Sequence, residues 1–216
     1  MPADLHIEPL VPAARETAVG VLARAFRDNP LNCAVIGGGP ERRLRSVVHG
    51  MRGALRSTIG HSTVLLGIRE ESPAGVLVAV PPGHFPGPPA GLFAQLHSLL
   101  GQGIRVSTRW GEVSRAFAEV HPVEPHWYLS LLGVDPPHQG YGVGLGLIEH
   151  WLAAIEQKNL PSYLETDRKE NVAFYQRVGF QVELELKVLE TPVWCMRRVA
   201  SALPIRSEGP DVFHTS

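Results

Sequence analysis

The sequence predicts an α/β fold in which helices flank a mixed, mostly antiparallel sheet. Residues 127–134 are nearly all apolar, which is typical of a strand covered on both faces in the middle of a sheet. A helical apolar stripe and a strand at 161–166 follow, and this order predicts a parallel β-α-β crossover. Strand pairs within 62–80 and 181–199 each have the pattern of an antiparallel hairpin. The crossover and the hairpins together define the fold class.

The length and composition indicate one globular domain. The chain has 216 residues, of which 44% are hydrophobic and 19% are charged, so it can bury a full core without disulfides or metals. We expect residues 1–200 to form this domain and the polar, aperiodic residues 201–216 to form a flexible tail. The formal charge is −1, so no overall field attracts nucleic acid or an anionic membrane.

The N-terminal part is predicted to alternate helices and strands. Pro12–Asp28 is predicted as a helix with Val19, Leu22 and Phe26 on one face, ended by Asn29-Pro30. Five prolines and two glycines mark a loop at 81–89. The other predicted elements are a strand at 5–9, a glycine loop at 37–39, a helix at 40–58, strands at 62–69 and 75–80, and helices at 92–100 and 104–120.

The C-terminal part continues from the strand at 127–134. The helix after it carries an apolar stripe, and Asn171 is predicted to cap a further short helix that Gly179 ends. The stripe consists of Leu145, Ile148, Leu152 and Ile155. Strands at 181–189 and 193–199 form the second hairpin and complete the predicted sheet.

The densest basic cluster is Arg42, Arg43 and Arg45. We interpret it as the solvated face of the helix at 40–58, because an apolar stripe runs along the same segment at helical spacing. That stripe consists of Leu44, Val47, Val48, Met51 and Leu55.

The two cysteines, Cys33 and Cys195, match no metal-binding or redox spacing. We therefore expect reduced thiols in a cytoplasmic protein, with a strained or reactive disulfide as the alternative. The first residues have neither the basic start nor the apolar core of a signal peptide, and no apolar run approaches membrane-spanning length. His121, Glu124 and His126 also lack a known metal-ligand spacing, so no metal is expected.

A glycine-rich turn, Gln139-Gly-Tyr-Gly-Val-Gly144, joins the apolar strand to the next helix. It fits neither the Gly-x-Gly-x-x-Gly register of dinucleotide-binding folds nor the P-loop, whose lysine is missing. Unpaired N–H groups at the positive end of a helix dipole make this turn a candidate site for a pyrophosphate. His138 beside it is a further possible phosphate contact. The alternative is a tight strand-to-helix turn with no ligand.

The turn and its flanks resemble the paired acetyl-coenzyme A motifs of the GNAT family of N-acetyltransferases. The resemblance lies in Leu-Leu-Gly-Val-Asp-Pro before the turn and Asn-x-x-x-Tyr-x-x-x-Gly-Phe after it, and it covers about 127–180. It implies a central strand that splays from its neighbour and leaves main-chain groups free for the cosubstrate acetyl-CoA. The residues that the family pattern implies in binding are Leu132, Gly133 and Val134 along the pantetheine, Gln139, Gly140, Tyr141, Gly142, Val143 and Gly144 at the pyrophosphate, and Asn171 and Tyr175 on one helix face.

The resemblance places Tyr175 near the sulfur of the coenzyme. A phenol with a pKa near 10 can deliver a proton to the thiolate that acetyl transfer expels, so Tyr175 is the candidate general acid. The alternative is that Phe174 and Tyr175 are core residues and Asn171 is a helix cap. A base is harder to name, and Glu124 is put forward from the four candidates before the central strand. These are Glu119, His121, Glu124 and His126. Within that strand Tyr128 and Ser130 stand where some relatives carry acids or histidines, so a water chain or a backbone carbonyl stays an alternative.

The expected function is transfer of acetyl from acetyl-CoA to a primary amine by direct attack in a ternary complex, since no cysteine or serine lies in a recognisable nucleophile motif. Few charges lie in 81–125, the expected acceptor region, which favours a small-molecule acceptor over a basic protein. The alternatives are a non-catalytic acyl-CoA-binding module of the same fold and an enzyme that transfers a longer acyl group. The protein is expected to be a monomer or a homodimer.

Overall fold

The N-terminal half contains three strands and four helices in the computed structural model, which describes residues 4–57, 60–84 and 103–200. A single 3-10 turn, Pro12–Ala14, leads into the first helix. The elements are β1 (Leu5–Pro9), α1 (Arg15–Phe26), α2 (Pro30–Ile36), α3 (Pro40–Ser57), β2 (Thr63–Arg69), β3 (Ser72–Val80) and α4 (Ile104–Val120). The predicted helix at 92–100 and the tail at 201–216 lie outside the described residues, as does most of the loop at 81–89.

The C-terminal half follows the predicted order of elements. Its elements are β4 (Trp127–Val134), α5 (Val143–Ile155), β5 (Ser162–Thr166), α6 (Lys169–Arg177), β6 (Gln181–Val188) and β7 (Thr191–Arg198). Both α4 and β4 have the bounds predicted from sequence.

The strands form a seven-stranded sheet in the order β1-β2-β3-β4-β5-β7-β6. Every neighbouring pair is antiparallel except β4 and β5, which are parallel and joined through α5 as the crossover prediction requires. The predicted fold class, a mixed and mostly antiparallel sheet flanked by helices, is therefore confirmed. The central position of β4 is confirmed as well.

Helices cover both faces of this sheet. On one face α5 buries its predicted stripe, together with Leu147 and Trp151, against β1, β2, β3 and β4. On the other face α1 and α3 pack over β2 and β3, while α2 and α4 pack beside them. The apolar stripe of α3 faces these cores, as its spacing predicts.

The prediction that Asn29-Pro30 ends a helix is incomplete, because α2 begins there. Pro30 occupies the first helical position, where its missing N–H costs nothing and its fixed φ suits the helix. The Leu31 N–H donates to the Asp167 carboxylate over 2.8 Å, and the Asn29 amide donates to the same group over 3.3 Å. A carboxylate from 136 residues away thus stabilises the start of α2, and no local pattern reveals it.

The interpretation of the basic cluster on α3 is wrong for one of its three arginines. Arg42 and Arg45 are exposed, but the Arg43 side chain keeps only 16% of its surface accessible. Its guanidinium pairs with Asp28 at 2.6 Å and also donates to the Gly38 carbonyl. Arg43 therefore ties α3 to the segment that follows α1.

Candidate active site

A gap opens in the sheet between β4 and β5. The two strands pair only at Trp127 with Ser162 and at Tyr128 with Tyr163, although β4 stays paired with β3 as far as Val134. A register shift between Val78 and Ala79 gives β4 one extra residue, Ser130, just where the gap begins. Among the described strands, none pairs with this edge of β4 from Leu129 onward, which is the splay that the family resemblance implies.

A cavity of about 550 Å³ lies at the open end of this gap. Its walls come from the end of α1, the end of β4, the glycine turn, the start of α5 and one face of α6. The structure brings all of the predicted binding residues except Tyr141 to the wall of this cavity. These are Leu132, Gly133, Val134, Gln139, Gly140, Gly142, Val143, Gly144, Asn171 and Tyr175.

The glycine turn exposes main-chain donors to the cavity. Gly140 and Gly142 have φ of 82° and 81°, a left-handed conformation that glycine adopts at little cost. Gly142 is the N-cap of α5 and has no side chain to cap the helix, and the first intrahelical bond runs from the Gly146 N–H to the Gly142 carbonyl. The N–H groups before Gly146 thus lack intrahelical acceptors at the positive end of the dipole, an arrangement suited to an anion.

The Gln139 and Tyr141 side chains make contacts of their own beside this set of donors. The Gln139 side-chain amide donates to the Val134 carbonyl over 3.0 Å, so it braces the turn against the end of β4. The Tyr141 ring is exposed and lies under the Arg69 guanidinium, 4.2 Å from its centroid. The Tyr141 side chain is therefore placed outside the cavity.

Asn171 lies within α6 and does not cap it. The N-cap is Arg168, and Asn171 donates from Nδ2 to the Thr166 hydroxyl over 3.2 Å. The cap prediction is wrong because residues 169 and 170 continue the helix backward, and this contact anchors α6 to the end of β5. Gly179 follows the helix as predicted.

Tyr175 lies one turn after Asn171 and reaches the cavity from a mostly buried position. Its residue surface is 7% accessible, and its ring packs against Phe174 and Phe180. Burial raises the pKa of the Tyr175 phenol above its ordinary value, and the nearby Asp167 carboxylate adds to the rise. The hydroxyl is therefore protonated at neutral pH and able to donate.

The end of α1 forms a wall of the cavity that the sequence did not indicate. Helix α1 lies against β4 at Gly133, where a Cβ would approach Leu22 and Phe26 to 3.0 Å and Ala25 to 3.1 Å. Arg24 then forms a two-point ion pair with Asp135, which follows β4 directly. Since the two partners are 111 residues apart, their spacing carries no local signal.

Several cations border the cavity. Arg168 donates to the Asn29 side chain over 3.1 Å and to the Asp28 carbonyl over 3.2 Å, whereas Arg27 pairs with the Asp28 carboxylate at 2.6 Å. Arg177 on α6 lies 5.7 Å from the Phe174 ring centroid. The cationic lining residues are Arg24, Arg27, Arg168 and Arg177, with His138 beside the turn. This charge suits a polyphosphate despite the near-neutral chain.

The predicted base candidates do not line the cavity. Glu124 is exposed, and a hydrogen bond from its own backbone together with an ion pair to Arg197 lowers the pKa of its carboxyl. Glu119 is exposed on α4. His121 and His126 lie together, with their Nε2 atoms 3.0 Å apart. Within residues 4–57, 60–84 and 103–200, no group of three or more histidine, cysteine or acidic side chains is arranged to hold a metal ion.

Sequence comparison matches this region to a known family. Residues 105–182 match the acetyltransferase (GNAT) domain model. An 82-residue stretch is 34% identical to a mycothiol acetyltransferase of Streptomyces coelicolor, covering 36% of this chain and 26% of that protein. The chain thus aligns with about a quarter of the length of this relative.

Solved structures share the fold across nearly the whole chain. One solved structure, described as histone acetyltransferase HPA2 and related acetyltransferase, comes from Corynebacterium glutamicum. It superposes with a TM-score of 0.73 at 19% identity, over 94% of this chain and 99% of that one. The PaiA N-acetyltransferase of Thermoplasma acidophilum, solved in complex with coenzyme A, superposes with a TM-score of 0.56 at 14% identity, over 90% of this chain and 98% of that one. Arylalkylamine N-acetyltransferase 2 of Aedes aegypti superposes with a TM-score of 0.57 at 15% identity, over 92% of this chain and 100% of that one.

The matched domain and the shared fold define the class of protein that this chain resembles: residues 105–182 match the GNAT acetyltransferase domain, and the fold is that of solved acetyltransferases. This confirms the resemblance drawn from the glycine turn and the Asn-Tyr helix. In the part of the chain that the structure describes, no helix has the length and apolar character needed to cross a membrane.

Proposed function

We propose that this protein transfers an acetyl group from acetyl-CoA to a primary amine, and that the cavity beside β4 is its acetyl-CoA site. The observation that carries this proposal is the meeting of three features in one cavity. These are the unpaired edge of β4, the uncapped N-terminus of α5 and the Tyr175 hydroxyl. Each matches a different part of a CoA thioester: the pantetheine amides, the pyrophosphate and the sulfur.

The pyrophosphate is proposed to bind the N–H groups of Val143 and Gly144, with further donors from the turn. A hydrogen bond to a charged group contributes about 1.5 to 3 kcal/mol, so a few such bonds hold the anion without a lysine. The arginines on the cavity wall add positive charge. The pantetheine amides are proposed to pair with the main chain of Leu132, Gly133 and Val134, where β4 lacks its neighbour.

The transfer is proposed to occur in one ternary complex. The neutral amine attacks the thioester carbonyl, the N–C bond forms, the C–S bond breaks, and the sulfur takes a proton from the Tyr175 hydroxyl. Burial raises the pKa of Tyr175, and it raises the pKa of a thiol in the same way. The pKa values of the proton donor and of the sulfur that accepts the proton therefore shift in the same direction inside the cavity. Among the described residues, neither serine nor cysteine lines the cavity, which supports direct transfer.

The acceptor is proposed to be a small amine. The few charges at 81–125 support this, since a basic protein segment calls for acidic partners. Glu124 stays a candidate base by its place before β4, although it pairs with Arg197.

Thiol release from acetyl-CoA across a library of small primary amines tests the proposal, with binding of acetyl-CoA followed in parallel by calorimetry. We expect binding together with release that depends on at least one amine. Tight binding with no release for any amine would contradict the enzyme and favour a non-catalytic acyl-CoA-binding module. Faster release from propionyl-CoA or succinyl-CoA would assign a longer acyl group.

A further inference from the structure

A cluster of buried polar side chains lies at the closed end of the gap, separate from the cavity lining. Glu165 on β5 is its centre, with 4% of its side-chain surface accessible. Its Oε1 atom accepts no hydrogen bond and lies 3.7 Å from the Nδ1 atom of His121. The groups that face it from the surrounding elements are His121 and His126 before β4, Tyr128 on β4, Tyr163 on β5 and Cys195 on β7.

The protonation states within this cluster follow from its contacts. His126 Nδ1 lies 2.7 Å from the Glu124 carbonyl, which can only accept, so Nδ1 carries the hydrogen. Burial lowers the pKa of His126, so the ring is neutral at pH 7 and its Nε2 is an acceptor. The Nε2 atom of His121, 3.0 Å away, must then carry a hydrogen. The other ring nitrogen of His121, Nδ1, faces the Glu165 carboxylate over 3.7 Å.

Tyr128 connects this carboxylate to the gap. Burial raises the pKa of the Tyr128 phenol, and the Glu165 carboxylate, which shares a hydrogen bond with it, raises it further. Tyr128 and Tyr163 are the last residues at which β4 and β5 pair, and the strands diverge beyond them. Four residues, about 13 Å of strand at 3.3 Å per residue, separate Tyr128 from Leu132 at the cavity. That span accommodates a thioester and an attacking amine end to end.

We propose that Glu165 accepts the proton of the acceptor ammonium through the Tyr128 hydroxyl, and that His121 and His126 position it and share that proton. This assignment rests on the acetyl-transfer function proposed above. It supplies the base that the sequence pattern left open, from a strand on the far side of the gap.

The proton balance is simple. The acceptor ammonium donates one proton to the Tyr128 oxygen while the Tyr128 hydroxyl donates its own to Glu165, which leaves a neutral amine and a protonated Glu165–His121 pair. After attack, the departing sulfur takes the Tyr175 proton, the second proton of the nitrogen restores the Tyr175 hydroxyl, and Glu165 releases its proton to solvent. The sum converts an ammonium and a thioester into an amide, a thiol and one released proton.

The buried carboxylate oxygen is difficult to explain by packing alone. Buried polar atoms in folded proteins are mostly hydrogen-bonded, because an unpaired one keeps the full cost of its desolvation. A carboxylate that takes up a proton in each turnover needs one acceptor position open.

The test compares Glu165→Gln with the matched variant Glu149→Gln, whose side chain is exposed on α5. The kcat/KM for an amine substrate is measured from pH 6.5 to 9.5, and the Kd of acetyl-CoA is measured for each protein. We expect Glu165→Gln to lose about 100-fold or more in kcat/KM at pH 7, as removal of a general base typically does. The loss should shrink about tenfold per pH unit as the amine deprotonates in solution. Acetyl-CoA affinity should stay within about twofold, since every proposed coenzyme contact is retained.

A loss in Glu165→Gln that does not change with pH, or no loss, would overturn the role of Glu165 while leaving the acetyltransferase intact. Tyr128→Phe provides a second variant should the first fail to fold, and it should show the same pH-dependent loss. A wild-type protein that binds acetyl-CoA but acetylates no amine would instead overturn the proposed function together with this inference.

Discussion

Arg24 and Asp135 form a two-point ion pair that connects the end of α1 to the first residue after β4. Nε lies 2.8 Å from Oδ1 and Nη2 lies 2.5 Å from Oδ2, and the Asp135 N–H donates to the Ala74 carbonyl over 2.8 Å. The Asp135 side chain is 9% accessible, whereas that of Arg24 is 48% accessible. This pair therefore fixes the strand end that precedes the glycine turn against the wall contributed by α1.

Arg24→Gln should destabilise the protein, because it leaves the buried Asp135 carboxylate without its partner. We expect the free energy of unfolding to fall by about 1 to 3 kcal/mol in urea titrations. Arg52→Gln is the matched control, since Arg52 pairs with Glu16 on the surface and its loss should leave the free energy of unfolding nearly unchanged. Equal losses in the two variants would show that burial of Asp135 contributes nothing.

Gly142→Ala should weaken acetyl-CoA binding. The left-handed φ of 81° is strained for alanine by about 1 kcal/mol or more, and relief of that strain moves the N–H groups of the turn. A loss of about tenfold in affinity corresponds to 1.4 kcal/mol and is measurable by calorimetry. Gly53→Ala is the control, because Gly53 lies in α3 with open space around it, and alanine there should add up to about 1 kcal/mol of stability. Unchanged affinity in Gly142→Ala would remove the turn from the site.

Tyr175→Phe should lower kcat while sparing coenzyme binding. Loss of a proton donor typically costs about 100-fold in rate, whereas the ring keeps its packing against Phe174 and Phe180. Steady-state thiol release and the Kd of acetyl-CoA separate the two effects. Tyr141→Phe, at an exposed ring outside the cavity, is the control and should turn over like the wild type. Full activity in Tyr175→Phe would exclude it from the mechanism.

The stability of the fold should decrease on the acid side through His126. Burial lowers its pKa in the folded state below the ordinary value of about 6.5, so the unfolded chain binds the proton more readily. The resulting stability is present above pH 6.5 and is lost as the pH falls through the folded-state pKa. Urea titrations between pH 7.5 and 5 should show a loss of up to about 1.4 kcal/mol per pH unit, which His126→Gln should diminish. Equal pH slopes for both proteins would contradict the burial of a neutral ring.

The sequence predicts best what is encoded locally. The run from 127 to 180 contains a strand, a glycine turn, a helix and a second strand whose order, spacing and apolar pattern determine both the crossover and most of the cavity wall. The bounds of α4 and β4 follow from the same local patterns.

The missed features depend on contacts between distant segments. Helix α2 begins at Asn29-Pro30 because Asp167 accepts hydrogen bonds there, and Arg24 reaches the site because α1 packs on Gly133. The position of Glu165 also depends on distant contacts, since only the folded sheet brings it beside His121 and Tyr128. Sequence spacing can therefore indicate a binding turn more readily than a proton relay.

A crystal structure of the protein soaked with acetyl-CoA measures the central claim most directly. We expect the pyrophosphate within hydrogen-bond distance of the Val143 and Gly144 N–H groups, the pantetheine paired with β4 from Leu132 to Val134, and the sulfur beside the Tyr175 hydroxyl. The Cys33 and Cys195 thiols should remain unacetylated. Density for the coenzyme elsewhere on the protein, or a coenzyme in the cavity with its sulfur away from both Tyr175 and the closed end of the gap, would contradict this assignment.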